Sequence, residues 1–143
     1  MTTKEYLSQI SRLDRMIKNK LSEISQLREL SCGIAAVKSG ERVQTMPNID
    51  KIGTSYAKID EMERNLDRVI DEYIDKKNEI ISQIESMEDE RYYNLLFSKY
   101  IEKNTFEQIA SEMHYSFRNT TRMHGKALMA FEKKYGKNYV DVS

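Results

Sequence analysis

The chain has 143 residues, no tryptophan and a single proline; 39% of it is hydrophobic, 32% is charged, and basic and acidic residues balance to a formal charge of zero. So few apolar side chains exclude a large spherical core and favour long, solvent-bathed helices, in one domain or in a small domain with a helical appendage. The lone Cys32 excludes an intrachain disulfide and a cysteine zinc cluster, and no apolar run approaches the roughly 20 residues that cross a bilayer.

The first predicted element is a helix. From Thr3, placed to cap its start, Tyr6, Ile10, Leu13, Ile17, Ile24 and Leu27 recur in steps of three and four as far as about Leu30. Leu7, Leu21 and Leu30 widen the stripe beyond a two-stranded seam. The polar start Met1-Thr2-Thr3-Lys4-Glu5 does not read as a signal peptide, so a cytoplasmic protein that makes no membrane contact is expected.

Residues Ser31 to Gly53 change character. Gly33, Gly40, Gly53 and Pro47 stand among mixed polar residues, which predicts a connecting loop over about 31–54, with Ile34, Val37 and Met46 placed to pin parts of it down. A second helix is predicted from about Ser55 to Glu88, where Ile59, Met62, Leu66, Ile70, Tyr73, Ile80, Ile84 and Met87 follow the helical period. Neither helix hides its stripe alone. Residues 1–88 are therefore expected to form a helical hairpin or coiled-coil arm, closed as an antiparallel pair in one chain or between chains as a homodimer. Lys20 and the Lys76-Lys77 pair interrupt the stripes and read as snorkelling lysines, with a register-setting polar break as the alternative.

From Asp89 onward the predicted helices shorten. One covers Glu90 to Tyr100, with Tyr93, Leu96, Phe97 and Tyr100 on one face. After a break at Ile101-Glu102-Lys103-Asn104, Thr105-Phe106-Glu107-Gln108 reads as a capping box that opens a helix carrying Phe106, Ile109, Ala110 and Met113 inward. That helix ends at His114-Tyr115, and Ser116 caps the next. Two capped helices eleven residues apart with a tight turn between them are the arithmetic of a helix-turn-helix. Ala110 suits the close approach of two helix backbones.

In the last helix Thr120, Met123, Ala127 and Phe131 are expected to face inward, leaving Phe117, Arg118, Asn119, Thr121 and Arg122 outward at its start and Lys126 a turn later. Arginine and asparagine suit base edges, threonine offers a hydroxyl or a methyl, and a helix N-terminus attracts phosphate. Charge follows the same division. Residues 1–90 hold 14 basic and 18 acidic residues, whereas residues 91–143 hold 9 basic and 5 acidic, and between Ser116 and Lys137 the only acid is Glu132. The basic end suits an anionic partner, or is simply a solvated helix end.

The stretch from Leu95 to Phe131 resembles the helix-turn-helix of sigma-70 region 4, through Tyr100-Ile101-Glu102, then Thr105-Phe106-Glu107-Gln108-Ile109-Ala110, then Ser116, and finally Lys126-Ala127-Leu128. With a helical N-terminal half, the whole is similar to the phage and mobile-element regulators of Gram-positive bacteria in the RinA/ArpU-like group. Thr120 stands where that family usually carries Val or Ile, Phe117 holds a place often given to a polar base-reader, and no segment resembles sigma region 2, which argues against an autonomous sigma factor.

The expected fold is thus all-α, an arm over 1–88 followed over 89–143 by a sigma-like helix-turn-helix domain. The resemblance implies a sequence-specific transcriptional regulator of double-stranded promoter DNA, with RNA polymerase as a further partner. Ser116, Phe117, Arg118, Asn119, Thr121, Arg122, Lys126, Lys133 and Lys134 are the expected DNA-binding residues. A coiled-coil adaptor or inhibitor and a small-terminase-like packaging subunit fit the same layout.

No cofactor, metal site or catalytic constellation is expected. His114 and His124 lack a companion ligand, and carboxylate pairs such as Asp71-Glu72 lie on solvated faces. His124 is expected beside the DNA-facing surface or in solvent, and Tyr92, Tyr93, Tyr100 and Tyr115 as core or groove-wall residues.

Overall fold

A computed structural model describes residues 1–38 and 49–140, with side chains over 1–31 and 56–140. The fold is all-α, with no strand among the described residues: α1 (Thr3–Leu7), α2 (Gln9–Lys38), α3 (Ile49–Glu85), α4 (Glu90–Leu96), a π-helical turn (Phe97–Ile101), α5 (Phe106–Met113), α6 (Phe117–Tyr135) and a closing 3-10 turn (Gly136–Asn138). Among the described residues no helix is long and apolar enough to cross a membrane.

Both long helices reach further into the glycine-containing region than their sequence predicts. α2 continues to Lys38 and α3 already begins at Ile49, so Ser31 to Lys38 and Ile49 to Gly53 are helical rather than loop. Hydrogen bonding along a long helix tolerates an isolated glycine at about 1 kcal/mol. Gly40, Met46 and Pro47, and the side chains of Ile34 and Val37, lie outside the described residues. At the other end the first predicted helix is two. Thr2, not Thr3, caps α1 in a full capping box with Glu5, and Ser8 separates α1 from α2.

The compact units do not divide at residue 88. Met1–Arg12 and Tyr73–Ser143 form one, Leu13–Glu72 the other. The physical reason is a shared core. Tyr6, Leu7 and Ile10 from the start of the chain and Ile80 and Ile84 from the end of α3 are buried with Leu95, Leu96, Tyr100, Ile109, Met123, Ala127 and Phe131. Polar contacts fix the chain start there: the Tyr6 hydroxyl donates to Gln83 Oε1 at 2.7 Å, Thr3 and Tyr139 share a hydrogen bond at 2.9 Å, and the Tyr6 and Tyr139 rings stack at 4.2 Å. Within this unit Lys76 and Lys77 behave as snorkelling lysines, their ammonium groups 5.7 and 5.4 Å from the ring centres of Tyr6 and Tyr73.

In the second unit α2 and α3 meet within the single chain. Ile24, Ile59 and Leu66 are buried together, Ile17, Leu27, Met62 and Ile70 pack against them, and Arg28 pairs with Glu63. Leu21 and Leu30, at 51% and 62% exposure, lie outside that seam.

Candidate nucleic-acid interface

The capped pair begins at Thr105. Its hydroxyl accepts from the Gln108 amide at 3.2 Å, and the Gln108 side chain accepts from the Thr105 amide at 2.8 Å, which satisfies two amides that α5 leaves open at its start. The helix ends on His114, which adopts a left-handed conformation with φ 60° and ψ 37°. There the Tyr115 amide donates to the Ala110 carbonyl at 2.9 Å and the His114 amide to Ser111 at 3.4 Å, the 6→1 and 5→2 pairing of a Schellman turn. His114 and Tyr115 make the turn, and Ser116 starts the next helix, its hydroxyl accepting from the Asn119 amide at 3.1 Å. Ala110, buried, leaves room for α5 beside α6.

The inward face of α6 is as expected: Thr120, Met123, Ala127 and Phe131 are all buried. Thr120, fully buried, returns its hydroxyl to the Ser116 carbonyl at 2.9 Å, so only its methyl needs an apolar surrounding. His124 is a correction. It is buried, not solvent-facing, with Nε2 2.6 Å from the Tyr100 hydroxyl and its ring edge-on to Phe106. Burial, with lesser contributions from Lys4 and Lys99, lowers its pKa to about 4, and burial pushes Tyr100 up to about 12. Both are neutral at physiological pH.

The outward residues sort into three groups. Arg118, Asn119, Arg122, Lys126 and Lys133 are exposed. Arg118, Arg122, Lys126 and Lys133 recur at steps of four, four and seven, which keeps them along one side of the helix. The hydroxyls of Ser116 and Thr121 are engaged within the helix, the first as its cap and the second donating to the Arg118 carbonyl at 3.0 Å. Phe117, 51% exposed, leans edge-on toward Phe106 at 6.3 Å between ring centres.

Lys134 belongs elsewhere: its ammonium donates to the Ser86 carbonyl at 2.7 Å, just past the end of α3, and drops out of the cationic stripe. Gly125 lies within α6, on its exposed side. A Cβ added there would meet nothing within 4 Å, so no close backbone approach requires glycine.

Sequence reasoning missed one neighbour of α6. Arg91, at the start of α4, joins Asn119, Arg122 and Lys126 around a hollow that Tyr92 and Tyr115 also line. The acidic run Glu88-Asp89-Glu90 hides it in the sequence. The usable signal was Asp89 as an N-cap, which places Arg91 in the first turn of a helix. The four tyrosines pack as expected, Tyr100 inside the core and Tyr92, Tyr93 and Tyr115 against it.

Residues 39–132 match a family model described as Protein of unknown function (DUF1492). Nothing among the curated proteins or the solved structures matches the chain.

Proposed function

The chain belongs to the DUF1492 family, and we propose that it is a sequence-specific DNA-binding transcriptional regulator, sigma-like and of phage or mobile-element origin, that lays α6 in the major groove of promoter DNA. One observation carries this reading. A Schellman turn and a serine cap hold α6 with its apolar face buried while Arg118, Asn119, Arg122 and Lys126 stand exposed from its first turns, the geometry by which a recognition helix presents donors to base edges. With four or five phosphates neutralised, log affinity falls with log salt at a slope of about −4. One module of this size binds weakly, so RNA polymerase or a second copy held through the two-helix unit supplies the remaining affinity.

Two other readings stay distinct in their consequences. Exposed Leu21 and Leu30 favour a protein partner for the two-helix unit, as an adaptor or inhibitor would need; a small-terminase-like packaging subunit would bind one packaging site. Genome-wide footprinting of the tagged protein yields bound promoters under the proposed function, one packaging site or no site under the others. On a promoter so identified, Arg118→Ala and Arg122→Ala abolish the sequence-specific gel shift with circular dichroism unchanged. A shift that survives both changes overturns the assignment of this face. Runoff transcription with and without host polymerase then separates an activator from a packaging protein.

A further inference from the structure

The hollow beside α6 is lined mainly by cationic and polar side chains. Its wall carries three cationic side chains, Arg91, Arg122 and Lys126, together with Asn119 and the phenols of Tyr92 and Tyr115, and its lining includes no carboxylate. Met123 closes it on the core side. Its volume is about 220 Å³, below the roughly 300–1,000 Å³ typical of pockets for organic ligands. A small group is the natural occupant, and the chemistry of the wall selects a negatively charged one.

Arg91 is held ready for such a group. Asp89 caps α4 by accepting the Arg91 amide at 2.9 Å, and the same carboxylate receives Arg91 Nε at 3.2 Å and Nη2 at 3.0 Å. A guanidinium has five N–H donors, so one edge is fixed by the cap while the Nη1 hydrogens are left over. Three cations against this single carboxylate leave an excess of positive charge. The hollow is also continuous with the exposed edge of α6, because Asn119, Arg122 and Lys126 belong to both. Arg118, one turn before Arg122, is not part of it.

We infer that this hollow is a seat for one phosphodiester of the nucleic-acid backbone, clamped between Arg91 of α4 and Arg122 and Lys126 of α6. This rests on the DNA-binding reading and refines it: Arg122 and Lys126 hold the backbone and set the register of α6, and Arg118 is left for base edges. Arg91, outside the recognition helix, becomes a phosphate-positioning residue. Tyr115, which closes the Schellman turn, brings a hydroxyl donor to the same phosphate.

The test is fluorescence anisotropy of the full chain with a promoter duplex and a scrambled duplex of equal length across a potassium chloride series. Arg91→Gln weakens binding to both duplexes several-fold by the same factor and reduces the salt slope by about 0.9, the loss of one phosphate contact. Arg91→Lys keeps the slope, and Tyr115→Phe weakens both duplexes without changing it, each with unaltered circular dichroism. Arg91→Gln with wild-type affinity and slope overturns the seat and leaves the DNA-binding reading standing. A wild-type chain that binds neither duplex at low salt overturns both. In a parallel NMR titration, inorganic phosphate that shifts the Tyr92 and Tyr115 resonances while Arg91→Gln leaves the duplex slope untouched marks a free-anion site, and overturns the backbone assignment.

Discussion

The Tyr100 hydroxyl lies 2.6 Å from His124 Nε2, joining the π-helical turn to the buried side of α6. Burial has opposite effects on the two groups because it disfavours the charged form of each, lowering the histidine to about 4 and raising the tyrosine to about 12. An unfolded chain returns the histidine to about 6.5. Below that value the unfolded state takes up a proton that the folded state refuses until about pH 4, so stability is full above 6.5 and is lost as pH falls toward 4.

The wild-type chain should therefore lose on the order of 2 kcal/mol more than His124→Gln between pH 7 and pH 4.5. Urea denaturation of both proteins at the two pH values measures it. Parallel losses would mean that this histidine does not drive the acid response.

Gly125 should accept alanine with a gain. It has an ordinary helical backbone, and the added Cβ meets open space. Removing glycine from a helix interior is worth about 1 kcal/mol, enough to raise the melting temperature by several degrees in a unit of this size. A melting temperature that falls on Gly125→Ala would show a contact at this position that the geometry does not contain.

Two neighbouring lysines should behave oppositely. Lys133→Ala should lower the salt slope of duplex binding by about 0.9 and leave stability alone, because the side chain is exposed on the cationic stripe. Lys134→Ala should leave the slope alone and cost about 0.5–1 kcal/mol, through loss of the cation at the Ser86 carbonyl beyond α3. Salt titrations and thermal melts of the two variants separate these effects; a reduced slope in Lys134→Ala would return that residue to the DNA-facing set.

What the sequence by itself determined is local. The all-α fold follows from periodicity, and the starts of α5 and α6 from Thr105 and Ser116, because a cap is a hydrogen bond between residues three apart and needs no distant partner. The buried side of α6 was legible for the same reason, since helical period alone aligns Thr120, Met123, Ala127 and Phe131.

The end of α5 was legible only in part. His114 takes the left-handed turn without the glycine that usually announces one. Only tertiary structure decided that Tyr6 stacks on Tyr139, that Lys134 leaves the cationic stripe for Ser86, that His124 is buried, and that Arg91 comes to stand beside Arg122. Each of these joins residues far apart in the chain, where the energy comes from shared burial and from partners that no local pattern names.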